Sequence, residues 1–168
     1  MSDPQFLKSV TLFAEFEDEE LHALSDTVRA SRYAPGDNVL EEGSANRALH
    51  ILKSGRVRVS RKVQDREMAL CDLDAGQTFG ELSIIEDGVA SATLRAVTDA
   101  EVLSISMHDL ATFLRTSPNA GAKFWRAIAV DLRRRLLQTN DVVRSYFEVN
   151  RALVENETFR EAYAMCNR

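Results

Sequence analysis

Cysteine, proline and glycine are scarce in this 168-residue chain, which contains two, three and seven of them, respectively. So little proline and glycine excludes a collagen-like or low-complexity chain. The two cysteines, Cys71 and Cys166, lie far apart in the sequence, which excludes a metal-binding or redox spacing. No run of about 18 apolar residues occurs, so we expect no segment that spans a membrane. The polar first residues show no signal-peptide pattern, and we therefore expect a cytoplasmic protein.

Positively charged residues are outnumbered by negatively charged ones. The chain contains 21 Lys and Arg residues and 26 Asp and Glu residues, which gives a net charge of -5. Affinity for DNA comes largely from neutralising its phosphates, so we expect no direct DNA binding. The chain also lacks the nucleophile-elbow, phosphate-loop, zinc-protease and paired-cysteine motifs of common enzymes. We therefore expect no enzymatic activity, no metal and no resident cofactor.

The hydrophobic pattern divides the chain into three parts. Residues 3–30 have the apolar spacing of helices. Residues 31–106 form short runs of alternating polarity between glycine-containing turns, which is typical of strands. Helical spacing returns at Met107, with Ser106 as the N-cap, and Pro118 begins a long helix. Because the strands are grouped and do not alternate with helices, the pattern predicts an α+β fold.

We predict one domain over residues 1–145, which includes the long helix at about 118–145, and a helical tail over residues 146–168. Apolar residues recur along one face of the long helix, mostly in steps of three or four. This stripe could pack on its own domain or form a coiled-coil seam with a second copy. The positions that we assign to such a seam are Trp125, Ile128, Leu132, Leu136 and Val143.

The segment from Phe79 to Ala96 carries the residues that bear most directly on function. Gly80 permits a close approach of the backbone to a ligand. A short helical turn that begins at Glu81 would offer free N–H groups suited to an anion. A carboxylate beside such a turn accepts hydrogen bonds from ribose hydroxyls. The pattern thus indicates a pocket for a small ligand.

In sequence, the chain resembles the cyclic-nucleotide-binding domain family over roughly residues 5–145. The resemblance implies an eight-stranded jelly-roll β-barrel with N-terminal helices and a long C-terminal helix, which pairs with its copy in a homodimer. Transcription factors of the family add a helix-turn-helix domain, for which too few residues follow Tyr146, so we expect none here. The segments that carry the resemblance are Phe6-Leu7 to Leu12-Phe13, Tyr33-x-x-Gly36-Asp37, Glu42-Gly43, His50 to Val57, Phe79 to Leu82 and Ala92 to Ala96.

The resemblance also implies roles for individual residues. The Gly80-Glu81 pair would bind the ribose 2′-hydroxyl. In the family, an arginine nine residues after the glutamate pairs with the cyclic phosphate, and here that position is Ala90. Ser91, whose hydroxyl can also contact the phosphate, is retained. Arg95 is not expected to substitute, because it has the opposite strand parity to the core-facing residues of its strand.

The long helix contributes a polar pair to the implied site. Thr139 and Asn140 occupy positions at which the family's central helix contacts the adenine across the dimer. The complete set of candidate ligand-binding residues is Gly80, Glu81, Leu82, Ser83, Ala90, Ser91, Ala92, Thr139 and Asn140.

Two functions remain open at this stage. The first is a non-enzymatic sensor that binds cyclic AMP, cyclic GMP or a related small ligand weakly, because the arginine is replaced. The second is a ligand-independent scaffold with a vestigial pocket, in which the long helix forms the homodimer or binds another protein.

Overall fold

The computed structural model describes residues 3–64, 66–81 and 88–155, apart from the side chains of residues 152–154. The chain divides into two compact units, residues 1–128 and 129–168, and each is described by itself. The first unit contains every described strand and most of the helices. The second contains the greater part of the long helix.

The helices begin where the sequence supplies caps for their free N–H groups. At the second helix, the Glu17 and Glu20 side chains form a reciprocal capping box. Ser106 caps the third helix, where its Oγ accepts a hydrogen bond from the Asp109 N–H at 3.1 Å. The helices are α1 (Pro4–Ser9), α2 (Asp18–Ser25), α3 (Met107–Thr116) and α4 (Pro118–Glu155), with a short 3-10 helix at Thr11–Phe13.

Eight strands are described between α2 and α3, and they form two antiparallel four-stranded sheets. The first sheet has the order β1-β8-β3-β6, and the second has the order β2-β7-β4-β5. The strands are β1 (Arg29–Tyr33), β2 (Asn38–Leu40), β3 (Ala48–Ser54), β4 (Arg56–Val63), β5 (Arg66–Asp74), β6 (Thr78–Phe79), β7 (Thr93–Ala96) and β8 (Ala100–Ser106).

The last strand in the second sheet, β5, pairs with β4 and is exposed along most of its length. Its apolar side chains Met68 and Leu70 are about half exposed, as is Val63 at the end of β4. Charged residues surround them on the same hairpin. Arg58 on β4, for example, makes a bidentate ion pair with Asp72 on β5.

The core of the first unit has two parts, on opposite faces of the first sheet. One face contributes residues such as Leu52 and Val102 to a cluster that includes Leu94 and Ala96 of the second sheet. Residues of the opposite parity are buried together with the helices, where Phe13 contacts Phe16 and Phe124. The residues buried on this helical side of the sheet are Leu49, Ile51, Leu103 and Ile105.

The predicted α+β order of short helices, strands and a long helix is confirmed. The long helix runs from Pro118 to Glu155, through the predicted segment at about 118–145 and into the segment predicted as a helical tail. No proline or glycine follows Gly121 in this helix, so nothing in the local sequence stops it. Among the described helices, none is both long enough and apolar enough to cross a bilayer.

Candidate ligand-binding site

The candidate site is the segment of residues 80–91, here called the cassette, which connects β6 to β7. At its start, Gly80 leaves β6, and Glu81 follows in a turn with only 3% of its surface exposed. The chain enters the described part of the structure again at Gly88. Leu82 and Ser83, which the sequence analysis included in the site, lie outside the described residues.

The backbone at Gly80 requires glycine for two reasons. Its φ is +79°, in the left-handed region that side chains disfavour. A Cβ atom at this position would also stand 2.5 Å from Asn46 Nδ2 and 2.9 Å from the Ala48 carbonyl oxygen. The loop before β3 is therefore packed directly against the start of the cassette.

The same loop pairs with the end of the cassette through backbone hydrogen bonds. The Gly43 N–H donates to the Ala90 carbonyl at 2.9 Å, and the Ala90 N–H donates to the Ser44 carbonyl at 2.8 Å. The Asn46 N–H donates to the Gly88 carbonyl at 3.3 Å. Both ends of the cassette are thus attached to residues 43–46.

Side chains alternate between buried and more exposed positions from Ala90 into β7. Leu94 and Ala96 belong to the inner cluster, and the same parity continues to Ala92 and Ala90, which are also buried. Ala90 is 5% exposed, whereas Ser91 is exposed. The position at which the resemblance places an arginine therefore faces inward and carries only a methyl group.

Arg95 lies on the outer face of β7, as its strand parity predicted. It is exposed, its Nε donates to Asn38 Oδ1 at 3.0 Å, and its guanidinium lies 3.7 Å from the Glu67 carboxylate. Together with Arg58 and Ser60 it lines a cavity of about 400 Å³. Because its neighbours Leu94 and Ala96 face the inner cluster, the Arg95 side chain lies on the opposite side of the strand from that cluster.

A neutral histidine supports the start of the cassette. The His50 ring stacks on Phe79, with the ring centroids 4.9 Å apart, and its Nε2 lies 3.0 Å from Asn46 Oδ1. Burial lowers the pKa of His50 to about 4, so the ring is uncharged near neutral pH. Since Asn46 Oδ1 is an acceptor, the neutral ring donates from Nε2, which assigns the proton to that nitrogen.

Asn46 is the functional candidate that the sequence analysis missed. It is 4% exposed and contacts the cassette at both ends, yet it lies outside the motifs that carry the resemblance. Periodicity gives no signal for a buried polar residue in a loop. Its position between the Glu42-Gly43 motif and β3 is the only indication in the sequence.

The remaining predicted site residues lie on the second unit. Thr139 and Asn140 are both exposed on α4, and Thr139 Oγ1 donates to the Arg135 carbonyl at 2.9 Å, within the helix. Their exposure leaves them accessible, and their role in a ligand site stays a prediction.

The five positions assigned to a dimer seam differ in accessibility. Leu136 is 62% exposed, and Trp125 and Val143 are about half exposed. Leu132 is partly buried, and Ile128 is only 3% exposed within the first unit. The accessible apolar surface is therefore concentrated in the later part of α4, where Val142, Tyr146, Phe147 and Val149 are also exposed.

Comparison with known proteins now identifies the class. The family model of the cyclic nucleotide-binding domain matches residues 30–117. This range includes the cassette, α3 and all eight strands, except for the first residue of β1. The chain belongs to this family, and the predicted jelly-roll fold is confirmed. In the parts of the chain that the structure describes, no group of His, Cys, Asp and Glu side chains could hold a metal ion.

Two bacterial relatives have names that refer to cyclic AMP. The chain is 29% identical over 162 residues to the cyclic AMP receptor protein of Thermus thermophilus, covering 95% of this chain and 69% of that protein. It is 27% identical over 131 residues to a CRP-like cAMP-activated global transcriptional regulator of Mycobacterium tuberculosis, covering 77% of this chain and 58% of that protein.

A solved structure extends the likeness to three dimensions. The N-terminal domain of a transcriptional regulator from Streptomyces coelicolor A3(2) has a TM-score of 0.69 and 31% sequence identity. The match covers 82% of this chain and 94% of that one.

Proposed function

We propose that this protein is a non-enzymatic sensor module that binds a cyclic nucleotide, or a related small ligand, at the cassette with low affinity. The observation that carries this proposal is the inward-facing methyl group of Ala90, beside backbone hydrogen bonds that join the cassette to residues 43–46. The backbone groups of Ala90 are hydrogen-bonded to the 43–44 loop, and Glu81 is buried at the other end. These contacts support a ligand site, while the cation that the family resemblance places there is replaced.

The missing cation sets the expected affinity. A hydrogen bond assisted by a charge contributes about 1.5–3 kcal/mol. Without it, a cyclic phosphate should bind about ten- to a hundred-fold more weakly than in a protein with the arginine. Relatives named for cyclic AMP, together with the preserved Gly80-Glu81 pair, favour cyclic AMP or cyclic GMP as the first ligands to test.

The decisive experiment is a calorimetric titration of the wild type and the Ala90→Arg variant with cyclic AMP, cyclic GMP and cyclic di-GMP. Ala90→Arg should raise the affinity for cyclic AMP or cyclic GMP about ten- to a hundred-fold, because the new guanidinium faces the ligand. The matched control is Val89→Arg, which adds the same charge at an exposed neighbouring position. If none of these proteins releases heat or shifts its melting temperature with any ligand, the sensor proposal is rejected.

A second candidate function is a ligand-independent scaffold, and the exposed apolar residues of α4 favour it. Large apolar side chains from Leu136 to Val149 are exposed on a unit that has no strand among its described residues. Such a stripe favours association with a second copy through a coiled-coil seam. The scaffold reading expects Glu81→Ala to leave this association unchanged, whereas the sensor reading expects ligand binding to alter it.

A further inference from the structure

The side chain of Asn46 is held in one orientation by its own loop. Its Nδ2 donates to the Ala48 carbonyl at 3.1 Å, and its Oδ1 accepts from the Ala48 N–H at 3.3 Å. A buried amide needs partners at both ends, and these two bonds determine which end is the oxygen. The third bond, from His50 Nε2 at 3.0 Å, then links the amide to the inner face of β3.

This fixed amide contacts the cassette at its beginning. The Nδ2 atom occupies the side of Gly80 where a Cβ would stand, and His50 closes the same side with its Cδ2 atom 3.2 Å from that point. His50 is in turn stacked on Phe79, the residue before Gly80. The direction in which the chain leaves β6 is therefore set by packing against Asn46 and His50.

The backbone of the same residue contacts the cassette at its end. The Asn46 N–H donates to the Gly88 carbonyl, beside the two hydrogen bonds that join Ala90 to Gly43 and Ser44. One residue thus contacts Gly80 through its side chain and Gly88 through its main chain. Locking the side chain against β3 also holds the main-chain donor in place.

We infer that Asn46 is a positioning residue that fixes the distance between the two ends of the cassette and thereby sets its affinity for ligand. The inference rests on the proposed function, since it takes the cassette as the binding segment. Its physical basis is preorganisation, because a site whose flanking residues are already held in place loses less conformational entropy on binding. Without the amide, residues 43–46 can move away from Gly80, and the ligand itself must then hold Gly80 and Gly88 at the right separation.

The first test needs no ligand and measures amide hydrogen exchange in full-length wild type and Asn46→Ala. We expect the Gly43 and Ala90 amides to exchange at least about ten-fold faster in the variant, because their pairing depends on the loop. The Leu52 amide, which donates to Gln77 within the strand region, should keep its rate. The matched control is Ser25→Ala, which removes another buried side-chain hydrogen bond, from Ser25 Oγ to the His22 carbonyl.

An equal rise of exchange in Asn46→Ala and Ser25→Ala, or no rise at Gly43 and Ala90, overturns the inference. If Asn46→Ala fails to fold, Asn46→Ser is measured by the same criteria, because its shorter side chain also leaves the Gly80 contact open.

The second test measures cyclic AMP affinity with and without Asn46, in the wild type or, where wild-type binding is too weak, in Ala90→Arg. Asn46→Ala should weaken binding about ten-fold, the value of one typical hydrogen bond, while Ser25→Ala leaves it unchanged. Faster exchange with unchanged affinity would show that Asn46 supports only the fold, and the inference fails. If Ala90→Arg itself binds no cyclic nucleotide, the proposed function fails, and the exchange result alone decides whether Asn46 holds the cassette.

Discussion

Gly80 illustrates at the scale of one residue how the cassette constrains the sequence. A substitution to alanine would strain a φ of +79° and would place a methyl group 2.5 Å from Asn46 Nδ2. A side chain in the left-handed region costs about 1–2 kcal/mol, and overpacking adds about 1–3 kcal/mol. We therefore expect Gly80→Ala to lower the free energy of unfolding by at least about 2 kcal/mol, as measured by urea denaturation.

The matched control for this prediction is Gly76→Ala. Gly76 has a similar φ of +88°, but an added Cβ would meet no atom within 4 Å. Its alanine variant should therefore lose only about 1–2 kcal/mol, the cost of the left-handed backbone alone. Equal losses in the two variants would show that the contact with Asn46 is unimportant.

His50 gives the site a predictable dependence on pH. Its pKa is about 4 in the folded protein, against an ordinary value of 6.5, because burial disfavours the charged ring. Between these two values the unfolded chain binds a proton that the folded chain does not. The free energy of unfolding contributed by His50 is therefore complete above about pH 6.5 and falls as the pH drops toward 4.

Denaturation of the wild type and His50→Gln at pH 7 and pH 4.5 tests this directly. Since one pKa unit corresponds to about 1.4 kcal/mol, the wild type should lose up to about 3 kcal/mol more than the variant over this interval. Identical losses in both proteins would contradict a buried, neutral His50.

Single residues also show where sequence reasoning succeeds and where it stops. The parity of β7 correctly placed Ala92, Leu94 and Ala96 inside and Arg95 outside, because strand alternation has a fixed period of two. Asn46 was not found, because its importance arises from contacts with residues 34 and 42 positions later in the chain. Such contacts exist only once the loop and the cassette have been brought together by the sheets.

At the scale of elements, the junction between β8 and α3 shows a local signal that works. Ser106 and Asp109 were predicted to cap the helix, and the Ser106 hydroxyl both accepts from the Asp109 N–H and donates to its carboxylate. Replacing this N-cap by alanine should cost about 1 kcal/mol of unfolding free energy, measured by thermal or urea denaturation. Ser106→Thr, which keeps a hydroxyl at the same position, should retain most of this free energy of unfolding. An alanine variant as stable as the wild type would refute the cap.

Element boundaries were less predictable than element types. β1 begins at Arg29, two residues before the predicted change of pattern, because its register with β8 extends to the Arg29–Ser104 pair. The predicted long helix at about 118–145 and the first part of the predicted helical tail form one element, α4, because an exposed helix can continue through polar residues. Tertiary pairing, which the local pattern does not contain, decides where β1 begins.

At the scale of the whole molecule, the proposed homodimer makes a prediction about association. Leu136→Glu places a charge in the exposed apolar stripe of α4 and should convert a dimer into a monomer in analytical ultracentrifugation. The matched control is Val130→Glu, a residue of the same helix that is 52% exposed and lies about 120° around the helix axis from Leu136 by helical spacing. A monomeric wild type, or a dimer that survives Leu136→Glu, would refute the coiled-coil seam.

The position of β5 at the end of its sheet has a practical consequence for handling the protein. A terminal strand with exposed Met68 and Leu70 can accept a strand from another molecule, the usual first step of fibrillar aggregation. Repulsion between molecules of net charge -5, and the charged side chains of the same hairpin, oppose this step. Because salt screens such repulsion, concentrated samples should stay clear longest in dilute buffer, and clouding at high ionic strength would begin at this hairpin.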